Sequence, residues 1–177
     1  FRIPTTWCGH FGPAPNYEIN SKWMKRVHEV VDYGYKKGAY VILNVHHETW
    51  NHAFSNNLAN AKTISTALWK QIAEEFKDYD EHLIFEGLNE PRKVGTNVEW
   101  TGGDSEGWDF VNQMNNIFIK NIRKAGGKNP QRHLMISTYA ANAGDNAINA
   151  FKFPSGDNKL IVSLHAYTPY NFALNTG

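Results

Sequence analysis

The chain has 177 residues, of which 41% are hydrophobic, 14% aromatic and 20% charged, enough apolar material for one packed core. Eighteen Lys and Arg against seventeen Asp and Glu leave a formal charge of +1, so there is no basic field to attract a phosphate backbone and no nucleic acid is expected as a partner; no uncharged apolar run approaches the roughly 18 residues needed to cross a bilayer, so no membrane span is expected either. A lone cysteine, Cys8, can close no intramolecular disulfide and build no thiolate metal site.

No repeat, low-complexity tract or Pro/Gly/Ser linker divides residues 1–177, which read as one domain. Phe1 to Pro4 looks like the tail of a strand. After Ser21 as a candidate N-cap, Met24, Val27, Val31 and Gly34 or Tyr35 recur at helical spacing, and Gly38 stops the helix. Residues 39 to 47 are short, apolar and read as a buried strand. Ala61, Ile64, Leu68, Ile72 and Phe76 mark a second helix, and residues 82 to 89 the next strand. Trp108, Val111, Phe118, Ile122 and Ala125, ended by Gly126-Gly127, mark a third helix. Strands follow at 132 to 138 and 158 to 167, with a short helix around Ala147 to Phe151 between them.

Strand alternating with helix implies parallel strands joined by right-handed crossovers, hence either a doubly wound open sheet or a closed barrel. The loops after the strands are long and rich in functional side chains, whereas those before them are short, which puts the working face at the strand C-terminal ends, as in a (β/α)8 TIM barrel. No Gly-rich phosphate turn follows a strand, which weakens the dinucleotide-binding alternative. A complete barrel takes about 250 residues. The fold class is therefore α/β, a TIM barrel present only in part, about strands 2 to 6 with their helices.

Alternation along two strands separates an apolar face from a polar one. Val41, Leu43, Val45 and His47 oppose Ile42, Asn44, His46 and Glu48; Leu160, Val162, Leu164 and Ala166 oppose Ile161, Ser163, His165 and Tyr167. His46 is thus the inward histidine of its pair. The segment Ile84 to Pro91 runs an apolar strand into Asn89, Glu90 and a proline that ends it. A glutamate at a strand end against apolar walls suits a general acid, although a solvated loop glutamate is the commoner case. Three strand ends deliver His, Glu, His and Tyr to one rim, and Arg2 stands at the end of the first.

The ordered set Arg2-Ile3-Pro4, His46-His47-Glu48, Phe85-Glu86-Gly87-Leu88-Asn89-Glu90-Pro91 and His165-Ala166-Tyr167 resembles glycoside hydrolase family 5, the cellulase-type endoglucanases, over essentially the whole chain. The resemblance implies an endo-acting retaining β-glycosidase on β-1,4-glucan, with xyloglucan or mannan as alternatives. It implies Glu90 as acid/base, Asn89 at the sugar 2-hydroxyl and the nucleophile, and Arg2, His46, His165 and Tyr167 around the cleavage subsite. The family's nucleophile, a glutamate ending the seventh strand, has no counterpart after Tyr167. The chain is accordingly expected to be part of a longer protein and inactive alone. Neither Glu48 nor Glu86 holds the matching position, and Glu86 is expected in the barrel interior.

Trp7, Trp50 and Trp100 fall in loops after strands, with Tyr170, and flat rings there can stack on pyranose faces. The resemblance implies a β-glucan partner, secretion, no cofactor, and room for appended carbohydrate-binding or docking modules outside these residues. A metal hydrolase is disfavoured because His46 and His47, adjacent on a strand, point to opposite faces and no HExxH spacing occurs. A glycan-binding protein without catalysis is the rival from another class.

Overall fold

Arg2–Ile3 (β1) opens a sheet that continues through Val41–Asn44 (β2), Leu83–Glu86 (β3), Leu134–Asn142 (β4) and Leu160–His165 (β5) in a computed structural model describing residues 1–177. All four pairings are parallel, and the strands lie side by side in chain order. A doubly wound sheet would reverse direction at a switch point; five strands added always on the same side form the arc of a β/α barrel.

Helices Ser21–Tyr35 (α1), Leu58–Glu75 (α2) and Ser105–Lys124 (α3) supply the crossovers of the first three loops. The residue that caps α1 is Asn20, not Ser21: its side chain accepts from the backbone N–H groups of Lys22 and Trp23. Asp104 caps α3 in the same way through Gly107 N. The short fourth helix, Asp145–Ala150 (α4), lies where expected, and one further turn, Tyr170–Ala173 (α5), occurs where the sequence suggested only loop.

The outward faces of β2, β3 and β4 carry Val41, Leu43, Leu83, Phe85, Leu134 and Ile136, all essentially without exposure. Trp69 and Phe76 of the α2 segment and Phe118 of α3 pack on them, with the Trp69 and Phe85 rings 5.2 Å apart and the Trp69 and Phe118 rings 4.7 Å apart. The alternation read in the sequence is therefore the real division between helix-facing and interior sides. On β5 the same apolar face is less covered, and Leu164 is 44% exposed.

Close packing sets two residue types. A Cβ on Gly87, just past β3, would meet Phe118 at 2.7 Å, so α3 can approach the strand end only over a glycine. At the opposite end of the sheet, buried Arg132 directs Nε to Asn129 Oδ1 and its two terminal nitrogens to the carbonyls of Asp80, Leu83, Phe76 and Tyr79, filling all five donors. Burial lowers its pKa to about 10, so it stays charged and ties β3 to the end of α2.

The ladders end sooner than the apolar runs suggested. Val45 and His46 leave β2, and His46 N donates to Thr5 O; Gly87 and Asn89 leave β3, and Asn89 N donates to Val45 O. β4 instead runs on to Asn142 through an irregularity: Ser137 pairs with Ser163, but the next partner of β5, His165, pairs with Asn142. Within it Ala140 and Ala141 hold φ of 52° and 49°, and Ala140 N donates to Pro91 O, fastening the bulge beside Glu90.

Candidate active site

The inward side of the sheet carries a polar cluster that crosses it from β1 to β5. Arg2 Nε donates to Glu86 Oε2 at 2.7 Å and Arg2 Nη2 to Glu86 Oε1 at 3.0 Å; Ser163 Oγ donates to the same Oε1 at 3.1 Å. Glu86 is wholly buried, as expected for an interior residue. Arg2 Nη2 also donates to Asn89 Oδ1 at 2.6 Å.

Past the cluster, at the strand ends, Glu90 Oε1 shares a 2.7 Å hydrogen bond with His165 Nδ1. Their side chains are 15% and 19% exposed, so the pair is sheltered yet reachable. What meets the carboxyl is a ring nitrogen, rather than the apolar wall expected from the sequence.

His46 is set by a relay that begins in the backbone. Thr5 N donates to Asn44 Oδ1, which turns Asn44 Nδ2 toward His46 Nδ1 at 3.0 Å. An amide nitrogen can only donate, so Nδ1 is the acceptor and Nε2 carries the proton. Burial, followed by the nearby charges of His47 and Arg2, lowers the His46 pKa below its ordinary value, against opposing pulls from Glu90 and Glu86, in keeping with a neutral ring. His47 is exposed and its ring lies 4.5 Å from that of His46.

The aromatic expectations divide. Trp7 is fully buried and donates from Nε1 to Asn44 O; Trp50 is 6% exposed and donates to Glu48 Oε2 at 2.6 Å. Neither ring is open to a sugar face, and both must be withdrawn as stacking platforms. The cause is Glu48, a buried carboxylate that also accepts from Trp7 N and Cys8 N and so folds the loops after β1 and β2 onto each other. Its own burial pushes its pKa up.

Trp100 is 55% exposed, and the Arg92 guanidinium lies over its ring at 4.1 Å. Arg92 also donates to Glu90 O and to Glu99 Oε1, and Asn142 Nδ2 reaches Trp100 O at 3.4 Å, so that ring is tethered to the rim beside Glu90 and His165. Tyr167 and Tyr170 are 55% and 64% exposed, with the Tyr167 ring edge-on to His165 at 6.5 Å.

The structure thus gathers Arg2, Asn89, Glu90, His46 and His165 in one region. It adds three members that were not singled out as site residues: Asn44, Ser163 and Glu86. Asn44 and Ser163 stand two positions before His46 and His165 on the same strand faces, and that spacing was the available signal.

A family model described as cellulase, glycosyl hydrolase family 5, matches residues 1–177. The chain belongs to glycosyl hydrolase family 5. It is 71% identical over 177 residues to endoglucanase B of Neocallimastix patriciarum, covering all of this chain and 37% of that protein. With endoglucanase A of Ruminococcus albus it shares 47% identity over 175 residues, 98% of this chain and 48% of the relative. Among solved structures, a GH5-4 broad specificity endoglucanase from Ruminococcus champanellensis with bound cellotriose superposes with a TM-score of 0.96 at 46% identity, over 99% of this chain and 52% of that one. XEG5A, a xyloglucan-specific endo-β-1,4-glucanase from a metagenomic library in complex with cellotriose, gives a TM-score of 0.94 at 47% identity, over 97% of this chain and 51% of that one. The chain thus spans about half the length of these structures and half or less of the curated relatives. The partial (β/α) barrel is the fold of this family, and its members here are endoglucanases.

Proposed function

We propose that residues 1–177 are the acid/base portion of an endo-acting, retaining β-1,4-glucanase, with Glu90 as the group that protonates the leaving oxygen and later deprotonates water. The observation that carries this is the Glu90–His165 pair, sheltered at 2.7 Å at the rim and beside the Arg2–Asn89 and Asn44–His46 relays. A shared hydrogen bond gives the carboxyl a partner in either protonation state, which a residue alternating between acid and base requires. With Asn89 Oδ1 held by Arg2 and His46 Nδ1 by Asn44, Asn89 Nδ2 and His46 Nε2 are left as N–H donors without a partner in the protein, suited to sugar hydroxyls and to an attacking carboxylate. Tyr167 would shape the same subsite.

Retention needs a second carboxyl about 5 to 5.5 Å from the first. Glu86 and Glu48 are both consumed by buried hydrogen bonds, so the nucleophile in this reading is a glutamate outside residues 1–177, and these residues alone turn over nothing. Trp100 and Tyr170 are the remaining aromatic platforms. A xyloglucanase is the second reading, favoured by the 47% identity to XEG5A. A polymeric glucan as substrate implies secretion, and the 22% share of the cellulase/esterase CelE of Acetivibrio thermocellus that this chain covers is consistent with further modules in the whole protein.

The test is the full-length protein on carboxymethyl cellulose, xyloglucan and mannan, with the anomer released first followed by NMR. Release of the β-anomer from the glucan is expected. Release of the α-anomer, or no cleavage of any of the three, would overturn the reading.

A further inference from the structure

We propose that Glu86 is a positioning residue for the hydrolysis: acting through Arg2, it decides which edge of the Asn89 amide is presented to the substrate. The proposal rests on the β-glucanase reading above and extends it to a residue with no exposure, which therefore reaches neither sugar nor water.

The two Arg2 nitrogens meet the two Glu86 oxygens at 2.7 and 3.0 Å, a paired arrangement that leaves a planar guanidinium one orientation. In that orientation Nη2 still has a hydrogen to direct at Asn89, and it does so at 2.6 Å. A guanidinium has donors only, so the atom of Asn89 that faces it must be the oxygen. Asn89 Nδ2, which makes no hydrogen bond within the protein, is thereby turned away from Arg2 as a double donor. Ser163 Oγ steadies Glu86 from the far side of the arc at 3.1 Å, so residues of three strands hold one amide.

Glutamine at position 86 would keep the volume but replace one acceptor with an NH2 group. Whichever way the amide turns, its NH2 would face an Arg2 N–H, since Oε2 accepts from Nε and Oε1 from Nη2, and the paired geometry would be lost. A guanidinium free to swing no longer dictates the Asn89 amide, whose oxygen would then face the substrate for part of the time and repel a hydroxyl lone pair or a carboxylate.

The experiment uses the full-length protein and two substrates, an aryl β-cellobioside and its analogue lacking the 2-hydroxyl on the ring that bears the aryl group. The readout is the ratio of their kcat/KM values. Asn89→Ala is expected to lower the ratio. Glu86→Gln should lower it by about tenfold, the effect of one hydrogen bond lost from the transition state, and should add nothing further in an Asn89→Ala background. Ser163→Ala, which leaves the ion pair in place, should lower the ratio by a smaller factor. A residue with only a structural role would depress both substrates alike, so an unchanged ratio in Glu86→Gln overturns the proposal. Should Glu86→Gln fail to fold, an unchanged ratio in Ser163→Ala overturns it instead. A wild-type protein that hydrolyses neither aryl glycoside would refute the β-glucanase reading itself, and this proposal with it.

Discussion

His165 and Glu90 share a hydrogen bond at 2.7 Å although β4 lies between the strands that carry them. The contact is possible because both stand at the rim, past the last regular pairing of β3, where the curving sheet brings side chains of non-neighbouring strands together. In the full-length protein, Glu90→Gln is expected to cost about 100-fold or more in kcat/KM on cello-oligosaccharides, whose leaving group needs a proton. An aryl glycoside with a good leaving group should lose far less in its first step. Equal losses on both would argue against the acid role. His165→Ala should be damaging on cello-oligosaccharides, but by a smaller factor than Glu90→Gln.

His46 carries a pH signature with a definite sign. Its folded-state pKa is held below the ordinary 6.5, first by burial and then by His47 and Arg2. As pH falls through 6.5 the unfolded chain takes the proton first, so the folded state loses stability from there down to the folded value, and no further below it. His46→Gln removes that loss. Urea unfolding at about pH 7 and about pH 5 should show wild type losing more stability than the variant over the interval. Parallel losses in the two proteins would contradict the neutral, proton-accepting ring.

Gly87 is where helix α3 leans on the strand that leads to Glu90. Gly87→Ala would bring a methyl to 2.7 Å from Phe118, and is expected to destabilise the protein by about 1 to 3 kcal/mol. Phe118→Leu in the same chain should recover part of that, because the obstacle is the ring itself. Additive losses in thermal unfolding of the double variant would mean the two do not oppose each other.

Trp100 has one face under Arg92 and a ring that is 55% exposed. Trp100→Ala is expected to weaken cellotriose binding about three- to tenfold by calorimetry, the range of one aromatic contact. Arg92→Gln should weaken it in the same direction, since the guanidinium at 4.1 Å holds the ring flat. Unchanged affinity in Trp100→Ala would remove it from the sugar path.

The amino-acid order alone reached the β/α alternation, the helix-facing sides of the strands, and the rim residues Asn89, Glu90, His46 and His165, because side-chain period and strand-end position are local properties of the chain. It could not separate Trp7 and Trp50 from Trp100: all three sit in loops of similar composition, and their fate depends on buried Glu48 gathering donors from two different loops. Nor could it show that β4 bulges to reach Pro91, or that Glu86, Arg2 and Ser163 meet in the interior, since these are pairings between residues tens of positions apart. Which polar groups face each other across a barrel is set by the register and curvature of the sheet, and those exist only once the strands have paired.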